Sequence, residues 1–133
     1  SARPSGTLLQ HRPALRGTKM DYQTLRDRLL EFRRQRDWEQ FHDPKNLAEG
    51  LIIEAGELLE IFLWKQTDQS RQLNETERKR AEEEIGDIFA FLIYLCCELN
   101  IDPFEAARRK IEINQQKYPV EKARGKSTKY NAL

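Results

Sequence analysis

The sequence contains few of the residues on which nucleophilic and redox enzymes depend. Its 133 residues include two cysteines and two histidines. Cys96 and Cys97 are adjacent within an apolar run, so they cannot easily form a structural disulfide, and they lack the spacing of metal ligands. We therefore interpret both as buried apolar residues, which fits a reducing, cytoplasmic setting.

Other absences exclude further classes of function. The sequence has no glycine-rich phosphate loop and no arguable Ser-His-Asp arrangement. Its histidines, His11 and His42, lie outside the predicted helices, whereas a di-iron carboxylate bundle needs Glu-x-x-His on two helices. The formal net charge of +1 predicts no strong attraction to nucleic acid or to an anionic membrane. No apolar run is long enough to span a membrane.

Composition divides the chain into three parts. Residues 1–19 contain Arg, Gly, Pro and Ser but no acid, and the only methionine, Met20, follows them. We expect this segment to be a vector-derived or disordered extension, with a basic transit peptide as the alternative. Residues 20–119 form the predicted domain, and residues 120–133 form a basic C-terminal tail.

Residues 20–119 carry four helical patterns and no competing strand pattern. The predicted helices run from Asp21 to about Asp37, from about Pro44 to Gln66, from near Thr76 to about Leu99, and from Asp102 to about Lys117. Short connections favour antiparallel neighbours, so we predict an all-α, four-helix bundle subunit. Apolar residues surround most of the second helix, which predicts that the subunits assemble into a homo-oligomer.

Helical phase separates the acidic residues of the second helix. At about 100° per residue, Glu54 lies within an apolar stripe, Glu57 lies on its shoulder beside Trp64, and Glu60 lies on the opposite face. The stripe consists of Leu47, Leu51, Leu58 and Ile61. Because a buried charge is costly unless it is paired or binds a metal, Glu54 and Glu57 need a partner.

The third helix repeats this arrangement. Glu84 and Asp87 lie at the edge of a stripe formed by Ala81, Ile85, Ile88, Leu92, Leu95 and Leu99. Four facing acids cannot all stay ionised without cations. Oxygen-only ligation suits hard ions, with Mg²⁺ as the first choice and Mn²⁺ as a substitute. The alternative is that these acids form ion pairs with Lys or Arg in a helix interface.

The two acidic pairs, Glu54-x-x-Glu57 and Glu84-x-x-Asp87, resemble the signature of the MazG-like superfamily of all-α nucleoside triphosphate pyrophosphohydrolases. Three further segments resemble its dCTP pyrophosphatase branch: RDWEQFHDPKNL (Arg36 to Leu47), EAGELLEIFLW (Glu54 to Trp64) and NQQKYP (Asn114 to Pro119). The resemblance extends from Asp21 to Tyr130.

This resemblance implies an enzyme that hydrolyses a deoxynucleoside triphosphate to the monophosphate and pyrophosphate. It also implies Mg²⁺ dependence, a cytoplasmic location, a homo-oligomer in which a tetramer is favoured over a dimer, and a role in clearing the nucleotide pool. Glu54, Glu57, Glu84 and Asp87 would be the metal ligands. The metal would activate a water that attacks the α-phosphorus, and either Glu54 or Glu57 would orient or deprotonate that water.

The resemblance further implies a set of substrate-binding residues. These are Trp38, His42, Trp64, Phe91, Asn114, Lys117 and Tyr118. Phe91 stands where dCTP-specific relatives carry a tyrosine, and Leu29 stands where they carry a histidine. Both departures remove hydrogen-bonding groups, and an apolar site discriminates less sharply than a polar one. We therefore expect a range of dNTP substrates that extends beyond dCTP.

Two alternative functions stay open. The first is a dUTPase-like member of the same superfamily, with similar acids but a uracil pocket. The second is a non-catalytic helical oligomer that binds nucleotides. Neither alternative requires binding to nucleic acid or to a membrane.

Overall fold

A computed structural model describes residues 19–133, so residues 1–18 of the predicted N-terminal extension lie outside the described range. Within that range every regular element is helical, and the all-α prediction is confirmed. The helices are α1 (Tyr22–Gln35), α2 (Pro44–Phe62), α3 (Glu75–Leu99), α4 (Pro103–Lys117) and the short α5 (Val120–Ala123). None of the helices in residues 19–133 combines the length and the apolar character that a membrane crossing requires.

Polar caps begin the four long helices at or near the predicted positions. Three carboxylates each accept a hydrogen bond from a backbone N–H group two or three residues later, at 2.8–2.9 Å; they are Asp21, Asp43 and Asp102. Asn74 and Glu77 cap each other reciprocally at the start of α3. Asn100 ends α3 in the left-handed conformation, with φ of 56°. Such caps satisfy backbone groups that have no partner within the helix.

The predicted end of α2 at Gln66 is wrong, because the helix ends at Phe62. The Lys65 N–H group donates to the Phe62 carbonyl at 2.9 Å. This three-residue spacing closes a turn in place of the i to i−4 bond of an α-helix. Trp64 therefore lies in a turn and not on the face of α2.

The chain divides into two compact units between His42 and Asp43. The described part of the first unit contains α1 and a short 3-10 turn, Glu39–Phe41. The second unit contains α2 to α5. Among the described residues, α2 and α3 pack extensively against each other.

The buried apolar residues of the second unit are few. They are Leu47, Ile61, Ala81, Ile93, Tyr94 and Cys96. The predicted stripe of α3 is partly wrong, because Ile85 and Leu99 are exposed. One packed neighbour, α2, covers only part of the circumference of α3, and the apolar residues of α3 are spread more widely than that. Both cysteines are free; Cys96 is buried as expected, whereas Cys97 is only half-buried.

Candidate metal and nucleotide site

Three of the four predicted acids form a cluster between α2 and α3. Carboxylate oxygens of Glu54, Glu84 and Asp87 all lie within 4.8 Å of one another. Glu57 belongs beside this group, because the negative charge of Glu84 raises the pKa of Glu57. We call these four residues the acid cluster. The structure thus brings together the acids that helical phase directs toward the core or its edge; Glu54, Glu57 and Glu84 are half-buried, and Asp87 is exposed.

Helix geometry explains this arrangement. Glu54 and Glu57 are three residues apart on α2, and Glu84 and Asp87 are three apart on α3, so each pair shares one helix face. Because α2 and α3 pack along each other, the two faces meet. Glu60, Glu82 and Glu83 are exposed, and they stand on other faces of the same two helices.

The acid cluster has no basic partner among residues 19–133. No ion pair there joins any of its four carboxylates to Lys or Arg. A nearby acid shows the contrast, because Glu77 pairs with Lys65 at 3.2 Å. The alternative of four acids held by ion pairs therefore finds no support in the described residues.

Mutual repulsion perturbs the ionisation of the cluster. Hydrogen bonding of the protonated Glu54 carboxyl to Glu84, followed by burial and by the charges of Glu57, Asp87 and Glu84, raises the pKa of Glu54 to about 7. The pKa of Glu57 is also raised, chiefly by the negative charge of Glu84. A hydrogen bond between two carboxyl groups requires a proton on one of them. With a pKa of about 7, Glu54 keeps part of its proton up to neutral pH, and a cation bound there would displace that proton.

One oxygen of the cluster is buried and unsatisfied. The Glu84 Oε1 atom has no hydrogen-bond partner among residues 19–133. Leaving a buried carboxylate oxygen unsatisfied is costly, and a bound cation would satisfy it. The donor set consists of carboxylate oxygens alone, which is the chemistry that Mg²⁺ and Mn²⁺ select. The residues present therefore fit a divalent metal ion.

The first unit contains two of the predicted substrate-binding residues. The Trp38 ring packs edge-on against Phe32, with centroids 5.7 Å apart. The Arg36 guanidinium lies 3.7 Å from the centroid of that same Phe32 ring. His42 is half-buried, and its Nδ1 atom lies 3.3 Å from Arg33 Nη1. Because guanidinium only donates, Nδ1 is the acceptor and the neutral imidazole carries its proton on Nε2.

The second unit contains the other five. Trp64 is 91% exposed, Asn114 is exposed on α4, and Phe91 is half-buried. Lys117 and Tyr118 stand at the end of α4, where both contact Tyr130. The Lys117 Nζ atom lies 4.6 Å from the Tyr130 ring centroid, and the Tyr118 and Tyr130 rings meet edge-on at 6.0 Å.

Two residues with evident structural roles are missed by the sequence argument. Arg33 is 7% exposed and is the buried charged residue among residues 19–42 of the first unit. Gly50 lies against the Phe91 ring. A signal for Arg33 does exist, because it follows Leu29 and Leu30 by four and three residues and so shares their helix face.

Fold and site together define an all-α protein whose longest helices hold a carboxylate cluster suited to a divalent cation. The profile of the MazG-like family matches residues 51–133, which is more than half of the chain, and the chain belongs to the MazG-like family.

Named relatives come from vertebrates and from an archaeon. Over 105 residues the chain is 40% identical to dCTP pyrophosphatase 1 of Homo sapiens and 41% identical to that of Mus musculus. Each alignment covers 77% of this chain and 62% of the relative, so the chain spans less than two thirds of their length. A pyrophosphatase crystal structure from Archaeoglobus fulgidus DSM 4304 matches with 46% identity and a TM-score of 0.68, covering 71% of this chain and 89% of that one.

Proposed function

We propose that this protein hydrolyses deoxynucleoside triphosphates to the monophosphate and pyrophosphate, with a divalent cation held by the acid cluster. One observation carries the proposal: Glu54, Glu84 and Asp87 bring carboxylate oxygens within 4.8 Å of one another, with no basic partner in the described residues. The names of the relatives, dCTP pyrophosphatase and pyrophosphatase, support the reaction class.

The acid cluster would hold the cation whose positive charge the reaction requires. A triphosphate carries several negative charges, which bare carboxylates would repel. Glu54, Glu84 and Asp87 would hold Mg²⁺, or Mn²⁺ in its place. When bound, the ion supplies positive charge that offsets the phosphates and makes a nearby water more acidic.

Glu57 is the acid that we assign to proton transfer. It lies outside the three mutually close oxygens, and the negative charge of Glu84 raises its pKa. Its carboxylate can therefore accept a proton from the attacking water while the other three hold the cation. Glu54, the other candidate, is committed to the cation because its oxygen is one of the three that lie close together.

Substrate selection is proposed to depend on aromatic and apolar groups. In the second unit, Trp64 and Phe91 would provide surfaces for the nucleoside, with Asn114 as a hydrogen-bonding group. The substrate-binding roles of Trp38 and His42, in the first unit, stay predictions. Lys117 would neutralise phosphate charge, and Tyr118 would support it from the end of α4. The phenyl ring of Phe91 offers no hydroxyl for base readout, so we expect several dNTPs to be substrates and dCTP to be one of them.

Assembly into a homo-oligomer, with a tetramer favoured, also belongs to this proposal. Ile52 is 69% exposed on α2, and Phe104 and Ile111 are exposed on α4. Exposed apolar residues in this number favour burial against another subunit.

Sedimentation velocity of the wild type, Ile52→Glu and Ile111→Glu tests the predicted oligomer, and a monomeric wild type would contradict the assembly. The predicted cytoplasmic location stays a prediction.

The experiment that tests the activity is a substrate panel with product identification. It contains the four canonical dNTPs, dUTP and 5-methyl-dCTP, each with Mg²⁺ and with EDTA. We expect a monophosphate and pyrophosphate from several dNTPs in the Mg²⁺ arm alone. Release of a diphosphate and inorganic phosphate would contradict the reaction class, and turnover confined to dUTP would favour the dUTPase-like alternative.

A further inference from the structure

Gly50 and Phe91 make a close contact between α2 and α3. A Cβ atom built on Gly50 would lie 2.6 Å from Phe91 Cε1, 2.8 Å from Cζ and 3.0 Å from Cδ1. These separations are shorter than any ordinary carbon–carbon contact. The Phe91 ring therefore occupies the space that any side chain at position 50 would need.

The other glycines of these helices do not share this property. A Cβ atom on Gly56 of α2 or on Gly86 of α3 would meet nothing within 4 Å. Glycine is a poor residue for a helix interior because it gains the most backbone freedom on unfolding. At position 50 the packing nevertheless requires glycine, because the Phe91 ring leaves no room for a side chain.

This contact lies next to the acid cluster. Gly50 precedes Glu54 by four residues, and Phe91 follows Asp87 by four, so each shares a helix face with a member of the cluster. Earlier residues of α2 therefore lie beside later residues of α3, as in an antiparallel helix pair. Four residues of α-helix rise about 6 Å, so the ring lies about one turn from the acids.

We propose that Gly50 is a positioning residue: by lacking a side chain, it lets the Phe91 ring lie against α2 as an apolar wall for the nucleoside part of the substrate. This inference rests on the proposed function, because it requires the triphosphate to lie at the acid cluster. The wall is made of carbon alone and contacts the nucleoside by shape. Gly50 acts through Phe91 and does not touch the reacting atoms.

A methyl group at position 50 can be accommodated in two ways. Either the Phe91 ring turns away from α2, or the two helices separate. Turning moves one half-buried side chain, whereas separation would disturb the whole α2–α3 packing and pull Glu54 away from Glu84. We therefore expect the ring to turn, so that nucleotide binding changes while the acid cluster keeps its metal affinity.

The test compares Gly50→Ala with Gly56→Ala, which makes the same change on an open face of the same helix. Phe91→Leu and the double variant Gly50→Ala/Phe91→Leu complete the set. For each protein we would measure kcat and KM for the dNTP panel, Mg²⁺ affinity by calorimetry, binding of an α,β-imido dNTP, and thermal unfolding.

We expect Gly50→Ala to raise KM by about tenfold with a smaller effect on kcat, as for lost ground-state binding. Mg²⁺ affinity should stay within about twofold of wild type, since the acid cluster is not displaced. Leucine at position 91 should restore most of the binding lost in Gly50→Ala, because the smaller side chain fits beside a methyl group. Gly56→Ala should match the wild type in KM.

Three results would overturn the inference: an unchanged KM and base preference in Gly50→Ala, an equal loss of Mg²⁺ and nucleotide affinity, or no rescue by Phe91→Leu. If Gly50→Ala does not fold, the single variant Phe91→Leu decides, since a wall residue must change KM when it is shortened. A wild type that binds the imido analogue but hydrolyses no dNTP would refute the proposed function alone, and the positioning role would then be judged from binding.

Discussion

Carboxylate oxygens of Glu54 and Glu84 lie within 4.8 Å of each other, between α2 and α3. Two carboxyl groups this close can hydrogen-bond to each other only while one of them is protonated. The Glu84 Oε1 atom is buried and has no hydrogen-bond partner among residues 19–133, and Glu57 and Asp87 add negative charge around the pair. The contact is thus a place where either a proton or a metal ion compensates the charge.

Stability without metal should fall as pH rises. The folded-state pKa of Glu54 is about 7, above its ordinary 4.5, so the folded state binds this proton more tightly than the unfolded state. That contribution is complete below about pH 4.5 and is lost as pH rises through about 7. In EDTA we expect a lower Tm at about pH 8 than at about pH 5. Glu54→Gln should flatten this dependence and Glu60→Gln should not; the same slope in both variants would assign it to other groups.

Mg²⁺ should stabilise the protein and release protons when it binds. The cation and the shared proton compete for the same carboxylates, so affinity should rise between about pH 6 and about pH 8. At about 100 times Kd, the gain would be about 2.7 kcal/mol. Calorimetry in buffers of different ionisation enthalpy measures the proton release. Binding heats that do not depend on the buffer would contradict this competition.

Arg33 should contribute more to stability than its neighbour Arg34. Arg33 is buried beside His42, and Arg33→Met would take its donors from a half-buried acceptor, at a cost of about 1–3 kcal/mol. Arg34 is exposed and pairs with Glu31 on the surface, so Arg34→Met should cost about 0–1 kcal/mol. Urea unfolding of both variants measures the difference. Equal losses of unfolding free energy in the two variants would show that the burial of Arg33 adds nothing to stability.

Tyr130 should hold the C-terminal tail against the end of α4. Its ring contacts both Lys117 and Tyr118, and exposed contacts of the cation–π kind are worth about 0.5–1 kcal/mol. We expect Tyr130→Ala to speed tryptic cleavage after Arg124 and Lys126, with little change in Tm. Tyr130→Phe keeps the ring and should behave as wild type. Cleavage at the same rate in all three proteins would show that the contact does not restrain the tail.

Local signals in the sequence predict most of the fold. Carboxylate caps at Asp21, Asp43 and Asp102 place three helix starts, because each cap depends on residues two or three positions away. The sequence does not predict the end of α2, because backbone hydrogen bonds close the turn after Phe62 and no nearby glycine or proline indicates a helix end.

The candidate site is predictable to a similar extent. Helical phase directs Glu54 and Glu84 inward, since two residues on one helix keep their angular relation wherever the helix packs. Phase cannot reveal a contact between helices, so the fit of Phe91 against Gly50 appears only in three dimensions. The exposure of Ile85 is equally hidden, because it depends on which neighbours are present.

The most direct measurement of the central claim is Mg²⁺-dependent pyrophosphate release from dCTP by Glu84→Gln and Glu83→Gln. These adjacent residues differ in that Glu84 belongs to the acid cluster whereas Glu83 is exposed. We expect Glu84→Gln to lower kcat/KM by about 100-fold or more, as for a lost metal-site group, while Glu83→Gln stays within about twofold of wild type. Similar rates in the two variants, or full activity of both in EDTA, would contradict a catalytic metal site between α2 and α3.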